Sequence, residues 1–246
     1  MTNFRRYGWR FSSQLGLGLI FLFGVPRFLL VLEANRTGNY NFISIIFLIM
    51  WITPFVLLNK NGRKTIGIQR PKKYRWLLYA FILGACCCGV VFFLGFALYQ
   101  DTLSNWFAYI SRAYGSIALT ELKGPDHWKY FLMLALIGMT FSPIGEELLY
   151  RGMIHQCFVT KFGDRGASKI DSMAFALVHL AHFGIVFEMG AWKMLWFPGL
   201  LWMFLMFLAS RLFFFCKTRT GSIHGAIMGH AGFNFAMTYL IFYHIL

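Results

Sequence analysis

The sequence predicts an all-α fold: a polytopic integral membrane bundle of about 7–8 transmembrane helices. Three observations predict it. Of the 246 residues, 58% are hydrophobic and only 13% are charged, where a soluble domain carries about 25% charge. Apolar stretches long enough to span a bilayer, about 20 residues each, recur along the whole chain. Lysine and arginine then collect on alternate connections between those stretches, as membrane topology demands. A mean hydropathy of +0.59 excludes a soluble enzyme, a disordered chain and a secreted disulfide scaffold. The five cysteines are odd in number, and Cys86, Cys87 and Cys88 sit together in an apolar run. Without a CxxC pair they read as small hydrophobes.

Residues 11–32 form the first span, interrupted by Pro26 and Arg27. Arg27 is expected to snorkel towards the interface or to pair with Glu33. Residues 37–59 and 76–100 carry no charge at all. Residues 130–145 are apolar and run straight into Glu146, Glu147 and Arg151. Residues 172–187 hold two histidines, residues 194–216 one arginine, and residues 220–246 are uncharged but dotted with Gly and His. An eighth crossing is added if the stretch after Pro143 spans separately. Residues 101–128 are the longest polar connection, and Trp106, Phe107, Tyr109 and Tyr114 make them a candidate surface-lying anchor, with substrate gating as the alternative. The glycine-rich segment 221–232 reads as close helix packing.

The formal charge of +14 would suggest a nucleic-acid partner in a soluble protein. Here the basic residues are topological instead: 15 lie on the connections assigned inside, or 16 with Arg211 near the inner end of its span, and 5 on those assigned outside. That split predicts an inside N-terminus and no nucleic-acid binding. The first apolar run is too long for a removable signal peptide, and a compact chain of this kind fits a prokaryotic cytoplasmic membrane. The whole chain, 1–246, reads as a single membrane domain.

Ionisable residues inside spans cost about 2.5–3.5 kcal/mol each, so they are functional candidates. Beside Arg27, they fall in four places: Glu146, Glu147 and Arg151; His179 and His182, with Phe175 one turn before; His230 with Asn234; and His155, one turn after Arg151. Glu147 and Arg151 stand at i,i+4 and can pair, whereas Glu146 projects about 100° away. His179 and His230 each lie about 11–13 Å from the inner end of a span. One Glu, two His and one Asn can therefore converge in a buried cavity. Such a set suits hydrolysis: a carboxylate with an adjacent imidazole activates water, and His and Asn stabilise the oxyanion. His182 is equally a site-supporting or a packing residue. His155, His224 and His244 are expected to be solvated, and His127 has no assigned role.

At these residues the sequence resembles the CPBP intramembrane peptidases, the CAAX proteases and bacteriocin-processing or bacteriocin-immunity proteins. The motif EExxxR appears as Glu146-Glu147-Leu-Leu-Tyr-Arg151, FxxxH as Phe175 to His179, and HxxxN as His230 to Asn234. The resemblance covers residues 128–240, leaving 1–127 as family-variable spans. It implies that Glu146 is the general base and His179 its partner on water. His230 and Asn234 would stabilise the oxyanion, with Glu147 and Arg151 as a supporting pair. A zinc site from Glu146, His179 and His230 remains open. The metal-free reading is favoured, because the chain has no HExxH and Arg151 is placed to occupy Glu147. The implied partner is a peptide or membrane-protein substrate, such as a prenylated tail or a leader peptide. The competing expectation is a non-enzymatic immunity or regulatory protein using the same cavity.

Overall fold

The computed structural model describes Phe4 and residues 10–40, 42–114 and 124–246. Arg5, Arg6 and Lys123, counted above among the basic residues, lie outside the described residues. Helix α1 (Ser13–Thr37) starts where the Ser12 hydroxyl accepts the Leu15 N–H at 3.2 Å, and it stops at Gly38. The φ of 71° at Gly38 is the left-handed turn that ends helices. Next come α2 (Ile43–Leu57), the short α3 (Lys60–Thr65) and α4 (Arg75–Tyr99). After α5 (Trp106–Ile110) a 3₁₀ turn covers Ser111–Tyr114. Helix α6 (His127–Glu146) widens into a π-helical segment, Glu147–Ile154, before α7 (His155–Val178). Gly163, at φ 64° and ψ 173°, breaks α7. The chain doubles back there, since His155 and Asp171 on either side of it lie 2.8 Å apart. A 3₁₀ turn (His179–Ala181), strands β1 (Ile185–Glu188) and β2 (Ala191–Met194), α8 (Trp196–Thr220) and α9 (Ile223–His244) complete the chain.

The molecule is thus a helical membrane bundle. Among the described residues, four stretches are long and apolar enough to cross a membrane: Ser13–Thr37, Arg75–Tyr99, the 55-residue His127–Ala181 and Trp196–Thr220. Helix α2 is apolar but shorter, at 15 residues. Lys64, Arg165, Lys217 and Gly221 line one cleft at one end of the bundle. At the other end Asn35 donates to the Ala181 carbonyl at 2.7 Å, and Arg112 pairs with Glu188. The described residues near Lys64, Arg165 and Gly221 therefore share one end, and those near Asn35, Arg112 and Glu188 the other.

Two expectations about elements are corrected. The span expected over 172–187 stops at Ala181, and residues 185–194 form an antiparallel hairpin instead. Its turn is Met189-Gly190, with φ of 50° and 78°. Two positive φ values match the twist of paired strands. The aromatic segment 106–109 does not lie on the membrane surface; Trp106, Phe107 and Tyr109 are buried in the bundle. The Trp106 N–H finds an internal acceptor, the Val91 carbonyl at 3.2 Å, and the ring packs on Trp202 and Phe183. With its one polar atom satisfied, the indole gains more from burial than from an interface.

The glycine-rich segment does pack closely. A Cβ on Gly84 of α4 would land on the carbonyl of Gly229 in α9, and one on Gly232 would land on the carbonyl of Phe81. Only hydrogen at these positions lets the two backbones touch. This contact fixes α9, and with it the depth of His230 and Asn234.

Candidate functional site

Five elements of the second half supply the motif residues. The end of α6 and the π segment carry Glu146, Glu147 and Arg151, all fully buried. The end of α7 carries Phe175 and presents His179 in the 3₁₀ turn. Helix α9 carries His230 and Asn234. Phe175, His179, His230 and Asn234 line a cavity of about 150 Å³, whose other polar lining is Arg27, Ser142 and His182.

Each histidine's tautomer follows from its partner. His179 Nδ1 lies 2.7 Å from the Phe175 carbonyl, which only accepts, so Nδ1 carries the proton and Nε2 a lone pair. His230 Nδ1 lies 2.8 Å from Glu147 Oε1 and donates to that carboxylate, an arrangement in which the acid orients the ring. The amide of Asn234 donates to the Gly138 carbonyl at 2.9 Å. Its second N–H remains for a ligand in the cavity.

Glu147 and Arg151 pair as expected, Oε2 to Nε at 3.2 Å. The guanidinium lies 4.1 Å from the Phe175 ring centroid and 5.5 Å from that of Phe213. The contact to Glu147 is short without hydrogen-bond alignment, so the aromatic faces hold Arg151 as much as the carboxylate does. Phe175 thus serves twice, stacking on His179 at 4.1 Å and carrying Arg151. Asp171 extends the chain of charges, with Oδ1 3.9 Å from Arg151 Nε and Oδ2 2.8 Å from His155 Nδ1. His155 is therefore buried and engaged, not solvated. Sequence reasoning gave Asp171 no role and expected a solvated His155, because both lie near the expected end of a span, where charge is ordinary.

Arg27 departs furthest from expectation. It neither snorkels nor pairs with Glu33, which is held by Arg36 at 2.6 Å. It is 1% exposed, and its Nη2 lies 2.6 Å from Glu146 Oε1. The same Nη2 is 3.3 Å from His182 Nε2 and 3.5 Å from His179 Nε2. His182 thus lines the cavity beside Arg27. Neither glutamate lines the cavity; Arg27 and Ser142, which touch Glu146, and His230, which touches Glu147, do.

The donors do not suit a metal ion as they stand. Among the described residues no group of three His, Cys, Asp or Glu side chains sits at metal-holding spacing. Of the three residues expected to form a zinc site, His230 turns Nδ1 to Glu147, and a guanidinium nitrogen lies between Glu146 and His179.

Residues 128–236 match the family model described as Type II CAAX prenyl endopeptidase Rce1-like. The matched segment contains all three motifs, and the resemblance they carry to the CAAX protease family holds. Neither a curated protein nor a solved structure matches the chain. The family match supports an intramembrane protease with a peptide or protein substrate in a membrane.

Proposed function

We propose, from the premise that residues 128–236 form a CAAX-protease-family domain, that this protein is an endopeptidase using a glutamate to activate water inside the bilayer. The observation that carries the reading is the convergence of His179, His230 and Asn234 on one buried cavity, with Glu146 one guanidinium away. A cavity of about 150 Å³ has room for a water, whose share of liquid volume is about 30 Å³, beside a peptide carbonyl.

Glu146 takes a proton from water, and His179 Nε2, bearing a lone pair, accepts the second water hydrogen and orients the attack. The hydroxide adds to the carbonyl carbon of the scissile peptide. The second N–H of Asn234 donates to the resulting oxyanion. His230, whose Nδ1–H is held by Glu147, stands with Asn234 in the lining of the same cavity. As the C–N bond breaks, Glu146 returns its proton to the leaving nitrogen, giving a new carboxylate and a new amine. Water is consumed and no electron is transferred. No step is routed through zinc, because the donor set does not fit it.

A prenylated tail, a leader peptide or a membrane regulator is the candidate substrate. An inside N-terminus follows from the basic-residue split. One observation favours a second reading, a non-enzymatic binding or immunity protein: both glutamates are ion-paired and neither faces the cavity. Cleavage of a membrane-peptide library by the purified protein separates the two. Activity that is lost in Glu146→Gln and kept in a strong chelator is the expected result. A wild-type protein that cleaves nothing, together with a Glu146→Gln variant that still performs the cellular role, establishes the binding protein.

A further inference from the structure

Arg27 comes from α1, outside the family-matched segment, yet it sits at the centre of the site. Three lone-pair atoms from two other elements converge on its Nη2: Glu146 Oε1 at 2.6 Å, His182 Nε2 at 3.3 Å and His179 Nε2 at 3.5 Å. A carboxylate and two imidazole nitrogens are the ligands that hold a divalent ion in hydrolytic sites. His179 is even prepared as such ligands are, with its other nitrogen donating to the Phe175 carbonyl. A guanidinium nitrogen stands at the focus of that set. The focus is also walled in, since Arg27, Glu146 and His179 are all buried. The charge it supplies is fixed, because an arginine does not lose its proton in a protein.

We propose that Arg27 is a positioning residue of this site, a built-in cation standing where a divalent metal would stand and excluding one. It holds Glu146 against the histidine pair, and its positive charge beside the focus repels any dication that approaches. Its Nε and Nη1 have no hydrogen-bond partner among the described residues, so the arm is not consumed by structural contacts. The functional half of this proposal rests on Glu146 and His179 being the reacting groups; the exclusion of metal rests on the geometry alone.

The consequence is a gain of function. With the arm removed, Glu146, His179 and His182 surround a vacancy. Side-chain movements of roughly 0.5–1.5 Å bring them to metal–ligand distances of about 2.0–2.2 Å. Purified Arg27→Ala in detergent is titrated with Co2+, whose visible d–d bands report tetrahedral N/O ligation. The expected result is cobalt binding at least about 100-fold tighter than in the wild type, as the removal of a neighbouring charge requires. The bands should vanish in the double variants Arg27→Ala with Glu146→Gln and Arg27→Ala with His182→Ala. Millimolar guanidinium should displace the ion and restore part of any cleavage that Arg27→Ala has lost.

Tetrahedral cobalt bands in the wild type overturn the proposal. So does an Arg27→Ala variant that binds no better than wild type, or one whose binding survives loss of Glu146 or His182. If Arg27→Ala does not accumulate as folded protein, Co2+ supplied during expression should restore the folded yield, because a bound ion stabilises the state that binds it. No restoration overturns the proposal equally. Wild-type cleavage and its loss in Glu146→Gln test the peptidase reading separately, so the cobalt result stands or falls independently of it.

Discussion

Asn234 has one amide hydrogen committed to the Gly138 carbonyl at 2.9 Å, which leaves the other to do chemistry. If that hydrogen meets the oxyanion, Asn234→Ala lowers kcat by about 10²–10³ with little change in KM, read by steady-state cleavage of a membrane peptide. Glu147 is placed differently: it touches His230 and Arg151 and does not line the cavity. Glu147→Gln removes the partner of a buried charge, which costs about 3–5 kcal/mol. A thermal melt in detergent should therefore show a large fall in Tm, where Asn234→Ala shows little. At this scale the motif residues were legible, because buried ionisable groups announce themselves in an apolar chain. The partner of Arg27 was not: Glu33 is six positions away in sequence, whereas Glu146 comes from a helix that only tertiary packing brings near. Periodicity in one segment carries no information about which other segment it faces.

Among the elements, the contact between α4 and α9 is set by hydrogen atoms alone. Gly84→Ala would drive a methyl group into the Gly229 carbonyl, where backbone cannot yield as a side chain would. The expected cost is about 1–3 kcal/mol or more. The displaced α9 should also lower activity through His230, so folded yield and cleavage should fall together. The hairpin of β1 and β2 offers a pH test. Glu188 accepts a hydrogen bond from Arg112, which holds its carboxyl below the usual carboxylate range. A depressed carboxyl contributes at pH values above its unfolded value, and the contribution disappears as pH falls through the folded one. Trp192 fluorescence should therefore report loosening of the hairpin on acidification, and Arg112→Gln should remove that response. The close helix packing was readable from the glycines. The π segment at Glu147–Ile154 was not, since residue type does not encode a shift from i+4 to i+5 bonding, and wide turns of this kind recur at functional sites. Nor was the inward fold of Trp106, whose acceptor lies 15 residues earlier on α4.

For the molecule as a whole, the alternating ends of the bundle place Lys64, Arg165 and Lys217 together. If the basic-residue rule holds, cysteines introduced at these positions react with a membrane-impermeant thiol reagent only from the cytoplasmic side, and one introduced at Met189 reacts only from the opposite side. The helical bundle and the family resemblance of residues 128–236 were legible from composition and three short motifs. The surroundings that tune the site were not, because they arise from contacts between halves of the chain.

The family match covers residues 128–236, whereas Arg27, which charges the chamber, lies on α1 outside it. A chain could keep every motif letter and still enclose a neutral chamber, simply by carrying leucine at the depth of Arg27 in its first helix. Divergence in chemistry or in preferred cargo would then accumulate outside the segment by which such proteins are recognised. Sorting them by charge at that one depth should divide them along lines that motif comparison does not draw.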